Sequence, residues 1–169
     1  MIINMKIFVL LLMLFPLVCS AAQANYLMIK LMQPKEIIEN KIDGIDGMSR
    51  YIKQIEIDIN NKLSSIEATQ SWGFLVIAVR NDGKIKAWID TDVEISPAIK
   101  KIMIDVAENS KSFSVNNGAV VFAIGFDIGD VGLPPYIMPF PNDWKKVAKC
   151  TNEDCQDKDV ESIVLRSWE

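Results

Sequence analysis

Two strand-length runs meet at Asn81-Asp82-Gly83-Lys84, and that junction confines the middle of the chain to an antiparallel hairpin. Phe74-Leu75-Val76-Ile77-Ala78-Val79 is apolar throughout and has the length of a buried strand. The residues that follow tolerate positive φ, and beyond them Ile85, Ala87 and Ile89 alternate with Lys84, Lys86, Trp88 and Asp90. A period of two predicts a strand with one buried and one wetter face, and it puts Trp88 on the wetter side with Lys86 and Asp90. Ser96-Pro97 then supplies a helix cap with proline at the first helical position, and Ile99, Ile102, Met103 and Val106 share one face up to Asn109. Finally Val120, Phe122, Ile124, Phe126 and Ile128 alternate with Ala119, Val121, Ala123, Gly125 and Asp127, a long strand with a bulky face and a small one. The small face can accept a helix laid close against it.

The flanks are read from weaker signals. Residues 25–70 are expected to be helical in two pieces, one opening at Pro34 and one from Met48, where Met48, Tyr51, Ile52, Ile55, Ile59, Leu63 and Ile66 recur every three or four positions. A strand over 54–60 is the alternative, because Ile55, Ile57 and Ile59 also alternate. Downstream, Gly132-Leu133-Pro134-Pro135-Tyr136 and Pro139-Phe140-Pro141 force an extended loop. A short helix capped by Asn142 or Asp143 should follow, and Val160 to Trp168 offers a last strand. The fold class is therefore α+β: a small, mainly antiparallel sheet with a ββαβ core, packed by the N-terminal and crossover helices. The expected divisions are 1–24, a helical segment 25–70, and an α+β domain 71–169.

Residues 1–24 have the layout of a cleaved export signal: Lys6, the apolar run from Ile7 to Val18, and Ala22-Gln23-Ala24 as a small-x-small cleavage site. Twelve helical residues reach about 18 Å, short of the roughly 30 Å hydrocarbon core, so no integral membrane segment is expected after cleavage. The expected destination is the periplasm or the exterior. Cys19 suggests lipidation as the rival, although Val18 precedes it where a small residue is wanted. Cleavage after Ala24 removes one of three cysteines and leaves Cys150 and Cys155, most simply a disulfide closing a local loop.

Chemistry is constrained by what is missing. The chain has no histidine, which removes Ser-His-Asp and Cys-His nucleophile systems and the commonest zinc ligand. A formal charge of −4 argues against a nucleic-acid partner, since phosphate neutralisation needs clustered cations. Asp90, Asp92 and Glu94 alternate at a strand end and are weak candidates for a divalent cation. Gly125, Gly129 and Gly132 have the wrong spacing for a dinucleotide loop, and Pro134-Pro135 stands where its helix should start. No cofactor is implied.

The order of strand (74–80), Asn81-Asp82-Gly83-Lys84 turn, strand (85–90), helix (96–109) and strand (118–128) resembles the periplasmic C-terminal domains of TonB and TolA over about 55 residues. The resemblance implies a ββαβ module whose exposed strand edges bind partner proteins by strand addition. The expected function is thus an exported, non-enzymatic module that binds a protein of the cell envelope. Its contacts are placed on the hairpin edge at Lys84, Lys86 and Trp88 and on the proline-rich loop at Tyr136, Met138 and Phe140. An acidic immunity or inhibitor protein that blocks a toxin or hydrolase is one alternative, and a carboxylate- or metal-dependent enzyme another.

Overall fold

The computed structural model describes residues 21–67, 70–149 and 159–168. The hairpin forms as its sequence dictates: β2 (Ser71–Arg80) and β3 (Ile85–Thr91) pair antiparallel with Val79 opposite Ile85. Arg80 donates its N–H to the Lys84 carbonyl at 2.9 Å, and Gly83, with φ +80°, supplies the left-handed residue that this three-residue turn requires. Asp82 accepts the Arg80 guanidinium, which with the Lys84 N–H holds its carboxyl at about 2, below the usual range. After β3, Ser96 accepts the Ile99 N–H and opens α3 (Pro97–Asn109), which returns the chain to β4 (Ala119–Ile128) beside β2. α1 (Lys35–Glu39) and α2 (Ile45–Leu63) precede the hairpin, and α4 (Asn142–Ala148) and α5 (Val160–Ser167) follow β4.

One strand departs from the expected helical N-terminal segment. Ala24–Leu31 is β1, antiparallel to β4, and completes a four-stranded, wholly antiparallel sheet of order β1-β4-β2-β3. The helical reading of 25–70 therefore holds only from Lys35 onward. In α2 Ile55 and Ile59 are buried and Ile57 is exposed, so the three-and-four spacing prevails over the strand alternative at 54–60. The other departure lies at the C-terminus: 160–167 is a helix, capped by Asp159 accepting the Glu161 N–H at 3.2 Å. Val160, Ile163, Val164 and Trp168 lie one helical face apart and all pack on the sheet, which the alternation of Ile163 and Leu165 obscured.

The sheet is covered on both faces. The bulky side of β4 meets α2 and α3 through Leu75, Ile77, Val120, Phe122 and Ile124. The small side, with Val121, Ala123 and Gly125, takes α4, α5 and the proline-rich segment. Where β1 ends, the bare start of β4 is completed by side chains. Glu161 accepts the Ala119 N–H at 2.9 Å, Gln33 accepts the Val121 N–H at 2.9 Å, and Lys41 donates to the Ala119 carbonyl at 3.1 Å while pairing with Glu161.

The fold also begins ahead of Asn25. Ala22 donates its N–H to the Ile66 carbonyl at 2.6 Å, and the Asn60 carboxamide both accepts from and donates to the backbone of Ala24 at 3.0 Å. A chain starting at Asn25, as a cut after Ala24 leaves it, forfeits these three bonds at about 1 kcal/mol each. Calorimetry should find its melting temperature roughly 5–15 °C below that of a chain starting at Ala21; equal values would show that the bonds contribute nothing.

Candidate functional site

Among the described residues the acids do structural work. Asp90 accepts the Phe140 N–H at 2.8 Å, and Asp92 accepts the Ser71 hydroxyl at 2.8 Å and the Trp72 N–H at 3.1 Å. With Glu94 they border a shallow depression that Lys100 also lines. No three His, Cys, Asp or Glu side chains among the described residues gather as a metal set. A depression of about 630 Å³ lies between the first turns of α2 and residues 111–114. Asp43, Asp46, Arg50 and Lys111 border it, all exposed and of both signs. Asp127, buried under the turn after β4, accepts from Asn25 at 2.8 Å and from the Gly132 N–H at 2.6 Å. Gly132 thereby belongs to the turn that launches the proline-rich segment.

That segment, 131–141, is a strap across the small face of the sheet. Leu133 lies over Gly125 so closely that a Cβ added there would come within 2.5 Å of its methyl carbon, so the missing side chain is what seats the strap. Lys30 of β1 donates to the Pro135 carbonyl at 3.2 Å. At the far side Asp90 holds the Phe140 amide, and the Phe140 ring meets Trp144 edge-on at 5.6 Å. Between these anchors Tyr136, 94% exposed, and the exposed Ile137 and Met138 stand away from the sheet. The prolines at 134, 135, 139 and 141 fix φ along the strap and so limit the entropy lost when those side chains are gripped.

The sequence-predicted contact residues thus fall into two groups. Tyr136 and Met138 are presented together at the strap tip. Trp88 is only 5% exposed and packs edge-on against Trp144 at 5.4 Å and Trp168 at 6.5 Å, because α4 and α5 build a second layer over what the alternation marked as the wetter face. Phe140 is half-buried as the anchor of the strap, Lys86 is half-buried, and Lys84 is exposed at the hairpin turn, 3.9 Å from Asp82. Cys150 and Cys155 lie outside the described residues. No helix among those described is long and apolar enough to cross a membrane.

The two sheet edges differ in a way that composition cannot foretell. Antiparallel ladders turn every second residue outward. On β3 the bond from Arg80 to Lys84 fixes the phase, so Ile85, Ala87 and Ile89 face away from β2. The Ala87 N–H is taken at 3.0 Å by Glu108 of α3, which blocks the middle of that edge. On β1 the Met32 N–H meets the Val121 carbonyl at 3.1 Å, so Met28 and Lys30 bond β4, and Ile29 and Leu31 turn their backbone groups outward. Leu27 and Ile29 are 46% and 51% exposed, and Leu31 is exposed beside them. Tyr26 packs into the core on the α2 side: burial first, then the charge of Glu56, raises its hydroxyl well above the ordinary range, and burial raises Glu56 as well. No family model, curated protein or solved structure matches the chain.

Proposed function

We propose that this protein is an exported, non-enzymatic binding module of the cell envelope, and that it grips a partner protein with the tip of the strap. The observation that carries the reading is Tyr136, 94% exposed on a strap pinned by Lys30 on one side and Asp90 on the other. A large amphipathic ring with few rotatable bonds, flanked by Ile137 and Met138 and held by prolines, has the character of an interface hot spot. The layout of residues 1–24 supports export, and the ββαβ order of 74–128 supports a binding role by its resemblance to the TonB and TolA domains. The hairpin edge contributes less than the sequence suggested, since Glu108 occupies it.

Photo-crosslinking in living cells tests this reading. A benzophenone amino acid at position 136 should give one discrete adduct, at least about tenfold stronger than the same group at the exposed Lys53 of α2. Tyr136→Ala should weaken the affinity for the protein so identified by about 2 kcal/mol, or some thirtyfold. Equal, diffuse labelling at positions 136 and 53 would reject it.

A further inference from the structure

We infer that the chain pairs with a second copy of itself along β1, joining two four-stranded sheets into one. The outward backbone groups of Ile29 and Leu31 carry no partner among the described residues, and three exposed apolar side chains, Leu27, Ile29 and Leu31, lie within five residues of that edge. Natural sheets close such an edge with charge, proline or a covering element. At the other end of the same strand Asn60 does so by bonding both backbone groups of Ala24, and on β3 Glu108 does so at Ala87. From Leu27 to Leu31 only Lys30 is charged, and its ammonium is drawn to the strap face, over the Phe74 ring at 5.8 Å and onto the Pro135 carbonyl.

The occupant follows from symmetry and charge. A two-fold contact must be self-complementary. Antiparallel pairing centred on Ile29 sets Ile29 against its own copy and Leu27 against Leu31. Lys30 then falls opposite Met28, so no charge on the strand meets its like. A register centred on Lys30 would oppose the two ammoniums, which costs free energy. Antiparallel strands in one sheet are related by an axis perpendicular to it, so both straps lie on the same face of the joined sheet. The dimer therefore offers two Tyr136 tips to one side, a bivalent display. That use of the tips rests on the binding function proposed above; the pairing itself does not.

Sedimentation equilibrium on the exported protein, up to about 100 µM, tests the pairing. Twice the monomer mass is expected, and Ile29→Lys should raise the dissociation constant by more than about tenfold while the circular dichroism spectrum of the folded chain is kept, the residue being half exposed. Ile29→Cys should form a disulfide between the two copies under mild oxidation, joining position 29 of each, whereas Ile85→Cys on the other edge should not; this decides the matter even if the lysine variant folds poorly. A monomer at every concentration, as expected if another protein's strand is the partner of this edge, would overturn the inference, and so would a dimer indifferent to Ile29→Lys. Loss of the position-136 adduct with the dimer intact would instead count against the binding function alone.

Discussion

Glu161→Ala should lower the unfolding free energy by about 3–5 kcal/mol, and urea denaturation followed by tryptophan fluorescence should register it as a shifted midpoint. Glu161 reaches from α5 to the bare start of β4, where it accepts the Ala119 N–H and pairs with Lys41, itself only 7% exposed and bonded to the Ala119 carbonyl. Removing the carboxylate leaves a buried ammonium without its counter-charge and a buried amide without its acceptor. Glu161→Gln should cost less, because the amide oxygen still receives the Ala119 N–H, but part of the loss remains, since its NH2 then faces the Lys41 ammonium and the Gln33 carboxamide that both donated to the carboxylate. Lys41→Met combined with Glu161→Leu should recover part of the single-variant loss, as replacing a buried ion pair with apolar side chains often does. The recovery should stop short of wild type, because the Ala119 N–H then has no acceptor while its carbonyl keeps Gln33. Full recovery would mean that the network contributes by charge pairing alone.

Nothing in the spacing of Gln33, Lys41 and Glu161 announces that cluster, and the reason is physical. It exists to finish a strand whose neighbour stops short, so its need arises only when β1 has been placed. β1 itself was hidden: from Tyr26 to Leu31 only Lys30 interrupts an apolar run that shows neither period, and the run follows closely on the apolar stretch from Ile7 to Val18. By contrast β2, β3, α3 and β4 were legible because each carries its own punctuation, Gly83 at the turn, Ser96-Pro97 at the helix start and a clean two-residue period in β4. Asn60 and Glu108 read as ordinary polar residues of amphipathic helices. Their role as edge caps depends on which backbone groups face outward, a property of register that one chain's letters do not carry.

The misplacement of Trp88 follows the same logic and leads to Trp144. Alternation in β3 correctly separates two faces, but whether the second is wet depends on α4 and α5 packing over it. Trp144 is the hinge of that layer. Wholly buried, it touches Trp88 on the sheet and Phe140 on the strap. Trp144→Ala should cost about 3–5 kcal/mol by the lost transfer energy and the cavity left behind. Because Phe140 then loses its edge-on contact, the strap should loosen from its β3 side and the position-136 adduct should weaken together with stability. Trp144→Phe separates the two effects. The indole N–H has no partner among the described residues and is shielded from solvent, so phenylalanine sacrifices no hydrogen bond and removes an unsatisfied donor worth roughly 1–3 kcal/mol, which offsets most of the packing lost with the second ring. The expected net change is within about 1.5 kcal/mol of wild type, with the adduct retained. If phenylalanine costs as much as alanine, the indole nitrogen must hold a bond that anchors the layer. If alanine spares the adduct while lowering stability, the prolines and the Lys30–Pro135 bond suffice to present Tyr136, and Phe140 is core rather than anchor.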